Sequence, residues 1–330
     1  MTFSLRNNIQ MHAIVLDAFG APESLTYRLQ PRPKPAPGTL LVRVLAASVN
    51  PIDYKIRRNG AWSDIRPPAI IGTDAAGIVE ETGIAVTRFR KGDQVFYTAE
   101  IAQSCPGTYA EYHVVPENLV AYKPGNLTFE EAASLPLAAS TAWQALFERG
   151  RLQVGETVLI HAGAGGIGSL AIQMAKAAGA RVITTCRKSN MDLVVRLGAD
   201  VAIDYRVENV ANSVRKMIGA EAVDMVLDTV GGPAFAQNLE LVKPHGQILS
   251  ITASDTALGQ AYRKNVDIHL ISTTRSGSRM EKIARLVENS QVKPVIDSIY
   301  PIEKTAEAHW RLESGGVRGK LVLSLEGESH

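Results

Sequence analysis

The chain has 330 residues, of which 45% are hydrophobic and 21% charged, as is typical of a folded globular protein large enough for two domains. The formal net charge is only +2, which argues against nucleic acid or an anionic membrane as the main partner. Two cysteines exclude a disulfide framework, no apolar run reaches the roughly 18 residues of a membrane span, and the N-terminus lacks a secretory signal, so we expect a cytoplasmic protein.

The first third of the chain is predicted to be β-rich. Short runs of β-branched, apolar and aromatic residues are separated by turn-forming segments, and this pattern is typical of a small twisted barrel. The clearest runs are HAIVLDAF, TLLVRVLAAS and YAEYHVV. From residue 129 the pattern becomes helical, and FEEAASLPLAASTAWQALFERG predicts a helix that is interrupted near Pro136 and ends at Gly150.

Apolar runs alternate with helical patterns from residue 155 onwards. This alternation predicts βαβ units and a parallel sheet covered on both faces. The predicted strands are TVLIH, RVITTC, VAIDY, VDMVLDTVG and GQILSIT. The C-terminal segments, ending in KLVLSL, are expected to return to the first domain. The predicted fold class is therefore α/β, with a doubly wound domain over residues 129–270 and a discontinuous β-rich domain over residues 1–128 and 271–330.

The stretch HAGAGGIG, residues 161–168, has G-x-G-x-x-G spacing between a predicted strand and a predicted helix. That setting is typical of a dinucleotide-binding loop. We expect Gly163 to allow the tight turn, Gly165 to let the backbone approach the pyrophosphate, and Gly168 to let helix and strand pack closely. The amides at the helix start would face the anion. The predicted cofactor-binding residues of the loop are Gly163, Ala164, Gly165, Gly166, Ile167 and Gly168.

The end of the second strand of this domain, TTCRKSN, predicts which dinucleotide binds. An NAD site usually has an acidic residue here to bind the ribose 2′-hydroxyl, but Cys186 holds that place. Arg187 and Lys188 follow, and their charge suits a 2′-phosphate. Ser189 and Asp192 have the spacing of a helix N-cap pair, so we assign Asp192 a structural role. The sequence therefore favours NADPH over NADH, with a solvated basic turn as the alternative.

Six segments together resemble the medium-chain dehydrogenase/reductase superfamily, most closely its zinc-independent quinone oxidoreductase branch. They are SVNPIDYKIR, IIGTDAAGIV, GTYAEYHVV, SLPLAASTAW, HAGAGGIGSLAIQMAK and RGKLVL. The resemblance covers nearly the whole chain from about residue 11. It implies an enzyme with a GroES-like catalytic domain and a Rossmann domain, and a homodimer formed through sheet edges near VDIHLIS.

The sequence departs from the zinc-dependent members of this superfamily. Asn50 stands where a ligating cysteine is expected, and Gly72, Thr73 and Asp74 replace a G-H-E segment. Two distant cysteines cannot form the four-cysteine structural zinc lobe. We therefore predict no metal. Without zinc to polarise an oxygen, reduction of an electron-poor conjugated acceptor is favoured over alcohol oxidation.

The resemblance also implies residues of the active site. Asn50 would line the cleft that holds the nicotinamide and the substrate, and it would donate a hydrogen bond to a carbonyl oxygen as charge develops on that oxygen. Tyr54 lies one position from the tyrosine of related reductases, which aligns with Lys55, and Thr141 matches a threonine near the nicotinamide. Each also has a purely structural interpretation: a turn asparagine, a surface side chain or a helix hydroxyl.

Further cofactor contacts are expected at the carboxyl ends of the parallel strands, which face the cofactor crevice in doubly wound folds. Residues at these strand ends are Thr229, Val230, Gly231 and Thr252, and related reductases place a tyrosine at the position of Tyr205, beside the 2′-phosphate. Lys320, in the closing RGKLVL, either approaches the cofactor or merely flanks a strand.

These observations predict an NADPH-dependent reductase that transfers hydride to a quinone or an α,β-unsaturated carbonyl without a metal. Tyr54 and solvent are both candidate proton donors. A zinc-independent enoyl-thioester reductase is one alternative, and a large basic pocket for a phosphopantetheine or CoA arm would favour it. A non-catalytic NADPH-binding or redox-sensing protein is another. Stoichiometric zinc would instead indicate a metal-dependent alcohol dehydrogenase.

Overall fold

The computed structural model describes residues 10–60, 63–100, 102, 105–219, 223–252 and 258–325. The chain divides into two compact units. We call the first the β-rich unit (Met1–Leu137, Arg275–Ala284 and Ile296–His330) and the second the α/β unit (Ala138–Thr274 and Arg285–Val295). No helix within the described ranges is long and apolar enough to cross a membrane.

The described residues form strands and helices in the following chain order. The strands are β1 (Gln10–Leu16), β2 (Leu25–Pro31), β3 (Thr39–Val49), β4 (Ala69–Ile70), β5 (Asp74–Thr82), β6 (Gln94–Thr98), β7 (Tyr112–Pro116), β8 (Val120–Tyr122), β9 (Thr157–Ile160), β10 (Arg181–Cys186), β11 (Val201–Asp204), β12 (Val223–Asp228), β13 (Val242–Ser250), β14 (Asp267–Leu270), β15 (Ile296–Pro301) and β16 (Lys320–Ser324). The helices are α1 (Pro51–Asn59), α2 (Phe129–Ala133), α3 (Pro136–Trp143), α4 (Gly166–Ala177), α5 (Met191–Arg196), α6 (Val210–Ile218), α7 (Pro233–Leu241), α8 (Leu258–Lys264), α9 (Gly277–Glu288) and α10 (Thr305–Glu313).

The β-rich unit is built on two sheets. The smaller has the order β2-β1-β4, and the larger has the order β15-β16-β3-β5-β6-β8, with β7 also paired to β3. The long strand β3 is central because its apolar side chains are buried on both faces, as at Leu40, Leu41 and Val42. The C-terminal strand β16 pairs antiparallel with β3, so it is part of this unit.

The α/β unit contains the predicted parallel sheet. Its strand order is β11-β10-β9-β12-β13-β14, and every pairing within it is parallel. The order reverses between β9 and β12, which is the switch point where doubly wound folds bind ligands. Leu159, Val226 and Ile248 form its core with Phe235 of α7. The predicted α/β class with a doubly wound sheet is confirmed.

The helical segment after residue 128 is interrupted where the sequence predicts. Helix α2 ends at Ala133, α3 begins at Pro136, and a short π-helix over Gln144–Arg149 closes the segment at Gly150. A Cβ at Gly150 would lie 2.7 Å from the Met225 Cε atom, so a larger residue here would require the flexible Met225 side chain to move.

Candidate functional site

The glycine-rich loop joins β9 to α4 at the switch point of the α/β sheet. The left-handed residue of its turn is Ala162, with φ of 51°, rather than a glycine. A Cβ at Gly163 would lie 2.0 Å from the Thr184 hydroxyl oxygen, and one at Gly168 would lie 2.3 Å from the Ala162 carbonyl oxygen. Gly163 therefore serves close packing against β10, which corrects the turn role predicted for it, and Gly168 serves the predicted close packing.

Gly165 is less crowded than Gly163 and Gly168. Only the Ala162 carbonyl oxygen, at 3.3 Å, would approach a Cβ at this position. Gly165 is the N-cap of α4, and the cap forms no side-chain hydrogen bond. The amides of Gly166 and Ile167 follow it at the start of a 12-residue helix. These backbone donors, with the partial positive charge of the helix start, fit the pyrophosphate of a dinucleotide.

A basic cluster lies at the carboxyl end of β10. Arg187 Nε donates a hydrogen bond to the Tyr205 hydroxyl oxygen at 3.3 Å, and Tyr205 is 46% exposed. Hydrogen bonds from Arg187 and from Arg206 lower the pKa of Tyr205. The sequence analysis missed Arg206, although it directly follows Tyr205 and carries the same charge as Arg187. Lys188 is exposed beside this cluster, which we call the Arg187 cluster (Arg187, Tyr205 and Arg206).

The predicted N-cap pair after β10 needs correction. Helix α5 begins at Met191 with Asn190 as its N-cap, and Lys188–Asn190 form a 3-10 turn before it. Ser189 therefore lies inside that turn rather than at the cap. Asp192 is in the first turn of α5, so it still has a helix-stabilising position.

In the turn after β12, the backbone at Gly231 packs closely against Thr252. The Asp228 carboxylate accepts hydrogen bonds from the Val230 and Gly231 amides at 2.9 and 2.8 Å. Gly231 has φ of 72°, and a Cβ there would lie 2.3 Å from the Thr252 hydroxyl oxygen. The predicted strand-end residues are thus gathered at one edge of the sheet. Thr229 belongs to the same edge, because its hydroxyl donates to the His161 carbonyl oxygen at 2.8 Å.

Thr141, on α3, is also part of the α/β unit. It is buried, and its hydroxyl shares a 2.7 Å hydrogen bond with the hydroxyl of Thr273. Its predicted place beside the nicotinamide stays a prediction.

In the β-rich unit, Asn50 and Tyr54 are positioned by α1, a helix that the sequence analysis did not anticipate. Pro51 favours a helix start because its fixed φ suits the first turn. The Asp53 carboxylate accepts a hydrogen bond from the backbone amide of Asn50 at 2.8 Å, which completes the N-terminal turn. One turn brings Tyr54 to a half-buried position, while Lys55 is exposed.

The Asn50 side chain is buried and fully hydrogen-bonded. Its Nδ2 donates to the Thr73 hydroxyl at 2.9 Å and to the Asp74 carboxylate at 2.8 Å. Its Oδ1 accepts a hydrogen bond from the Lys320 ammonium, which fixes the amide orientation. Because both amide hydrogens are engaged, the predicted donation to a substrate oxygen needs correction. Asn50 instead holds several buried groups together.

Lys320 begins β16 and is bound inside the β-rich unit, and its approach to the cofactor stays a prediction. Its ammonium also donates to the Val49 carbonyl oxygen at 3.2 Å and lies 3.8 Å from the Asp74 carboxylate. Burial raises the pKa of Asp74 and lowers that of Lys320, while their attraction opposes both effects. The Asp74 carboxylate also accepts hydrogen bonds from the Ser48 and Thr98 hydroxyls and from the Leu137 backbone amide.

Asp53 brings a second carboxyl group to the same place. Burial is the main reason that the pKa of Asp53 is raised to about 7. The charge of Asp74 raises this pKa as well, while the hydrogen bond from the Asn50 backbone amide opposes the rise. The Tyr109 hydroxyl donates to it at 3.0 Å. We call this group the Asn50 cluster, and its members are Asn50, Asp53, Thr73, Asp74 and Lys320.

The Asn50 cluster does not fit a catalytic zinc ion. Zinc sites of this kind combine thiolate and imidazole ligands. Here the equivalent positions carry an amide, a hydroxyl and one carboxylate, and an ammonium is bound among them. A dication would be repelled by that ammonium. Within the described part of the chain, no group of three or more His, Cys, Asp or Glu residues could hold a metal ion.

Together, the doubly wound sheet and the open glycine-rich loop at its switch point define a dinucleotide-binding protein. Comparison with known proteins identifies its family. A model of the alcohol dehydrogenase GroES-like domain matches residues 36–125, and a model of the zinc-binding dehydrogenase domain matches residues 197–323.

Similar proteins cover nearly the whole chain. The quinone oxidoreductase of Lama guanicoe is 31% identical over 96% of this chain and 98% of its own. The NADPH-dependent alkenal/one oxidoreductase of Arabidopsis thaliana is 35% identical over 86% of this chain and 71% of its own. The structure of the quinone oxidoreductase from Coxiella burnetii superimposes with a TM-score of 0.88, at 35% identity over 96% of this chain and 100% of that one. The chain belongs to the medium-chain dehydrogenase/reductase superfamily, in its quinone oxidoreductase branch.

Proposed function

We propose that this protein is an NADPH-dependent reductase that transfers hydride to a quinone or an α,β-unsaturated carbonyl compound. Its similarity to quinone and alkenal/one oxidoreductases supports this reaction class. The observation that carries the choice of cofactor is the Arg187 cluster. Where an NAD site usually has an acidic residue, this chain has Cys186, and two guanidinium groups and a hydroxyl lie beside it.

The cofactor would be held at two places in the α/β unit, the glycine-rich loop and the Arg187 cluster. The open face of Gly165 and the first amides of α4 would bind the pyrophosphate, and Arg187 would bind the 2′-phosphate with Arg206 and Lys188 nearby. NADH lacks that phosphate and would leave the positive charges without an anion. The bound nicotinamide would supply the hydride from its C4 atom.

The protein residues contribute position and hydrogen bonding to this reaction. We assign Asn50 the role of holding the Asn50 cluster rather than that of an oxyanion donor. Tyr54 remains our candidate proton donor, with solvent as the alternative, and Thr141 our candidate neighbour of the nicotinamide. The donor chemistry of the Asn50 cluster supports a metal-independent reaction, although one matching family model is named for zinc binding.

Cofactor oxidation with a panel of acceptors tests the proposal. NADPH and NADH consumption would be followed with 1,4-benzoquinone, 9,10-phenanthrenequinone, simple enones and crotonyl-CoA. We expect turnover with quinones or enones and a lower KM for NADPH. Arg187→Ala should raise the KM for NADPH by roughly 10- to 100-fold and leave NADH unaffected, because a charge-assisted contact is lost.

Arg196→Ala is the matched control, because Arg196 is equally exposed but lies at the end of α5. A wide preference of the wild-type protein for NADH would overturn the NADPH assignment. Reduction of crotonyl-CoA alone would overturn the quinone and enone assignment. Binding of NADPH without turnover of any acceptor would favour a redox-sensing protein instead.

The enoyl-thioester alternative calls for a large basic pocket, and the α/β unit has one basic groove to consider. It encloses about 440 Å³ and is lined by Lys176, Arg196 and Lys293, together with polar side chains. Lys176 is already paired with Asp200 at 2.9 Å. The groove lies at the C-terminal end of α4, roughly 15 Å along the helix from the glycine-rich loop. That distance argues against this groove as the binding site for the phosphopantetheine or CoA arm of a thioester substrate.

We also propose a homodimer and a cytoplasmic location. Strand β14 is one of the two edges of the α/β sheet formed by the described strands, and Leu270 at its end is 62% exposed. Such an edge can extend its ladder with a second copy. Both cysteines are free thiols, as suits a reducing compartment. Sedimentation of wild type and a Leu270→Asp variant, and cell fractionation, test the two proposals.

A further inference from the structure

A chain of buried polar side chains lies behind the glycine-rich loop. The Ala162 amide donates to the Thr185 hydroxyl oxygen at 3.1 Å, and that oxygen lies 3.2 Å from His161 Nδ1. His161 Nε2 lies 2.7 Å from Asn238 Oδ1, and Asn238 Nδ2 donates to the Asp228 carboxylate at 3.3 Å. We call these four side chains the His161 relay: Thr185, His161, Asn238 and Asp228.

The direction of every hydrogen bond in the relay is determined. A carboxylate only accepts, so the Asn238 amide must turn its Nδ2 to Asp228 and its Oδ1 to His161. His161 Nε2 must therefore carry the hydrogen. A neutral imidazole then accepts at Nδ1, so the Thr185 hydroxyl donates there while it accepts from the Ala162 amide. Each of the four side chains is thus hydrogen-bonded to its neighbour in the relay.

The two ends of the relay are the two loops at the switch point. At one end is the glycine-rich loop, which passes through the left-handed Ala162. At the other, the second oxygen of Asp228 accepts the amides of Val230 and Gly231. Ala162 carries a Cβ, so its left-handed conformation is strained and needs outside support, whereas Gly231 adopts a left-handed conformation without strain and its amide is held by Asp228. The relay is the shared support of the two turns.

We propose that the His161 relay is a positioning device that holds the glycine-rich loop and the Val230–Gly231 turn as one unit for the dinucleotide. Because all four side chains are buried, we assign them a positioning role rather than a direct contact with the cofactor. The inference rests on the proposed function only in requiring that a dinucleotide occupies this loop. Burial lowers the pKa of His161, which keeps the imidazole in the neutral form that the relay needs.

Substitutions at both ends of the relay test this inference. Thr185→Val removes the hydroxyl with little change of shape and should weaken NADPH binding roughly tenfold, since a buried amide loses its acceptor. Thr185→Ser keeps the hydroxyl and should bind within about twofold of wild type. Dissociation constants would be measured by titration calorimetry, and apo-protein stability by thermal unfolding.

The far end provides the decisive comparison. Asn238→Leu should weaken NADPH binding by a similar factor, although Asn238 lies on α7 rather than on the glycine-rich loop. If the relay acts as one unit, the double variant with Thr185→Val should lose little more than either single variant. Additive losses, or a Thr185→Val variant that only melts earlier with unchanged affinity, would overturn the proposal.

A measurement on the wild-type protein does not depend on the folding of any variant. The nitrogen chemical shifts of His161 should show a neutral ring with the hydrogen on Nε2, and a ring protonated at Nδ1 at neutral pH would contradict the relay. A wild-type protein that binds neither NADPH nor NADH would instead overturn the proposed function. A protein that prefers NADH leaves the relay testable with that cofactor.

Discussion

The two units each bury a polar network beside a predicted functional region, and the two networks are built differently. The His161 relay is a linear chain whose hydrogen bonds run in one direction to a single carboxylate. The Asn50 cluster instead packs two carboxyl groups and an ammonium around one amide. The first network depends on the orientation of its donors and the second on the balance of its charges. They should therefore respond differently to substitution and to pH.

The largest effect is expected where a charge loses its partner. Lys320→Met keeps most of the length of the side chain but removes the ammonium, which leaves the Asp74 carboxylate and the Asn50 carbonyl oxygen without it. Breaking a buried ion pair in this way costs about 3–5 kcal/mol. Urea unfolding would measure the loss.

Lys55→Met is the control for this variant, because Lys55 is exposed on α1 in the same unit. It should change the free energy of unfolding by less than about 0.5 kcal/mol. A loss below about 1 kcal/mol for Lys320→Met would show that the cluster does not depend on its ammonium.

The second prediction concerns the pH dependence of the Asn50 cluster. The pKa of Asp53 is raised to about 7, so the folded protein holds this proton at pH values where the unfolded chain, with a pKa near 4, has released it. Stability from this group is therefore complete below about pH 4 and is lost as pH rises towards 7, by up to about 4 kcal/mol. Asp53→Asn resembles the protonated acid and should remove this loss.

The difference between wild type and Asp53→Asn isolates this effect from opposing groups. Burial lowers the pKa of His309 to about 3, which makes the folded protein gain stability as pH rises over an overlapping range. That contribution is present in both proteins and cancels. Urea midpoints at pH 4.5, 6 and 7.5 should diverge steadily, whereas parallel curves would mean that Asp53 is ionised throughout.

The third prediction contrasts two glycines of the loop supported by the His161 relay. Gly163→Ala would place a methyl group 2.0 Å from the Thr184 hydroxyl oxygen, and overpacking of this kind costs about 1–3 kcal/mol of stability. Gly165→Ala makes only one tight contact, at 3.3 Å from the Ala162 carbonyl oxygen, and should keep stability within about 1 kcal/mol while weakening NADPH binding. Thermal unfolding and calorimetry separate the two outcomes, and equal stability losses would contradict the assigned roles.

The two networks also show how far sequence patterns reach. The glycine spacing, the parallel strands and the missing acid before Arg187 are local features, and each was readable from a short segment. The partner of Asn50 is not local, because Lys320 lies 270 positions away and meets it only through the pairing of β16 with β3. The α1 helix could not be predicted from SVNPID, because this segment is as typical of a turn as of a helix start. Asn50 was consequently given a free amide that the fold does not leave it.

The smallest effect is expected for a neutral contact at the edge of the His161 relay. Thr229→Val removes the hydroxyl that donates to the His161 carbonyl oxygen at 2.8 Å. Thr229 is only half-buried, so water can replace part of this hydrogen bond, and the loss should be about 0.5–1.5 kcal/mol. Thr229→Ser, which keeps the hydroxyl, should recover most of it in thermal unfolding. A loss as large as that of Lys320→Met would mean that direction of hydrogen bonding, and not charge, sets the cost of disturbing a buried network in this protein.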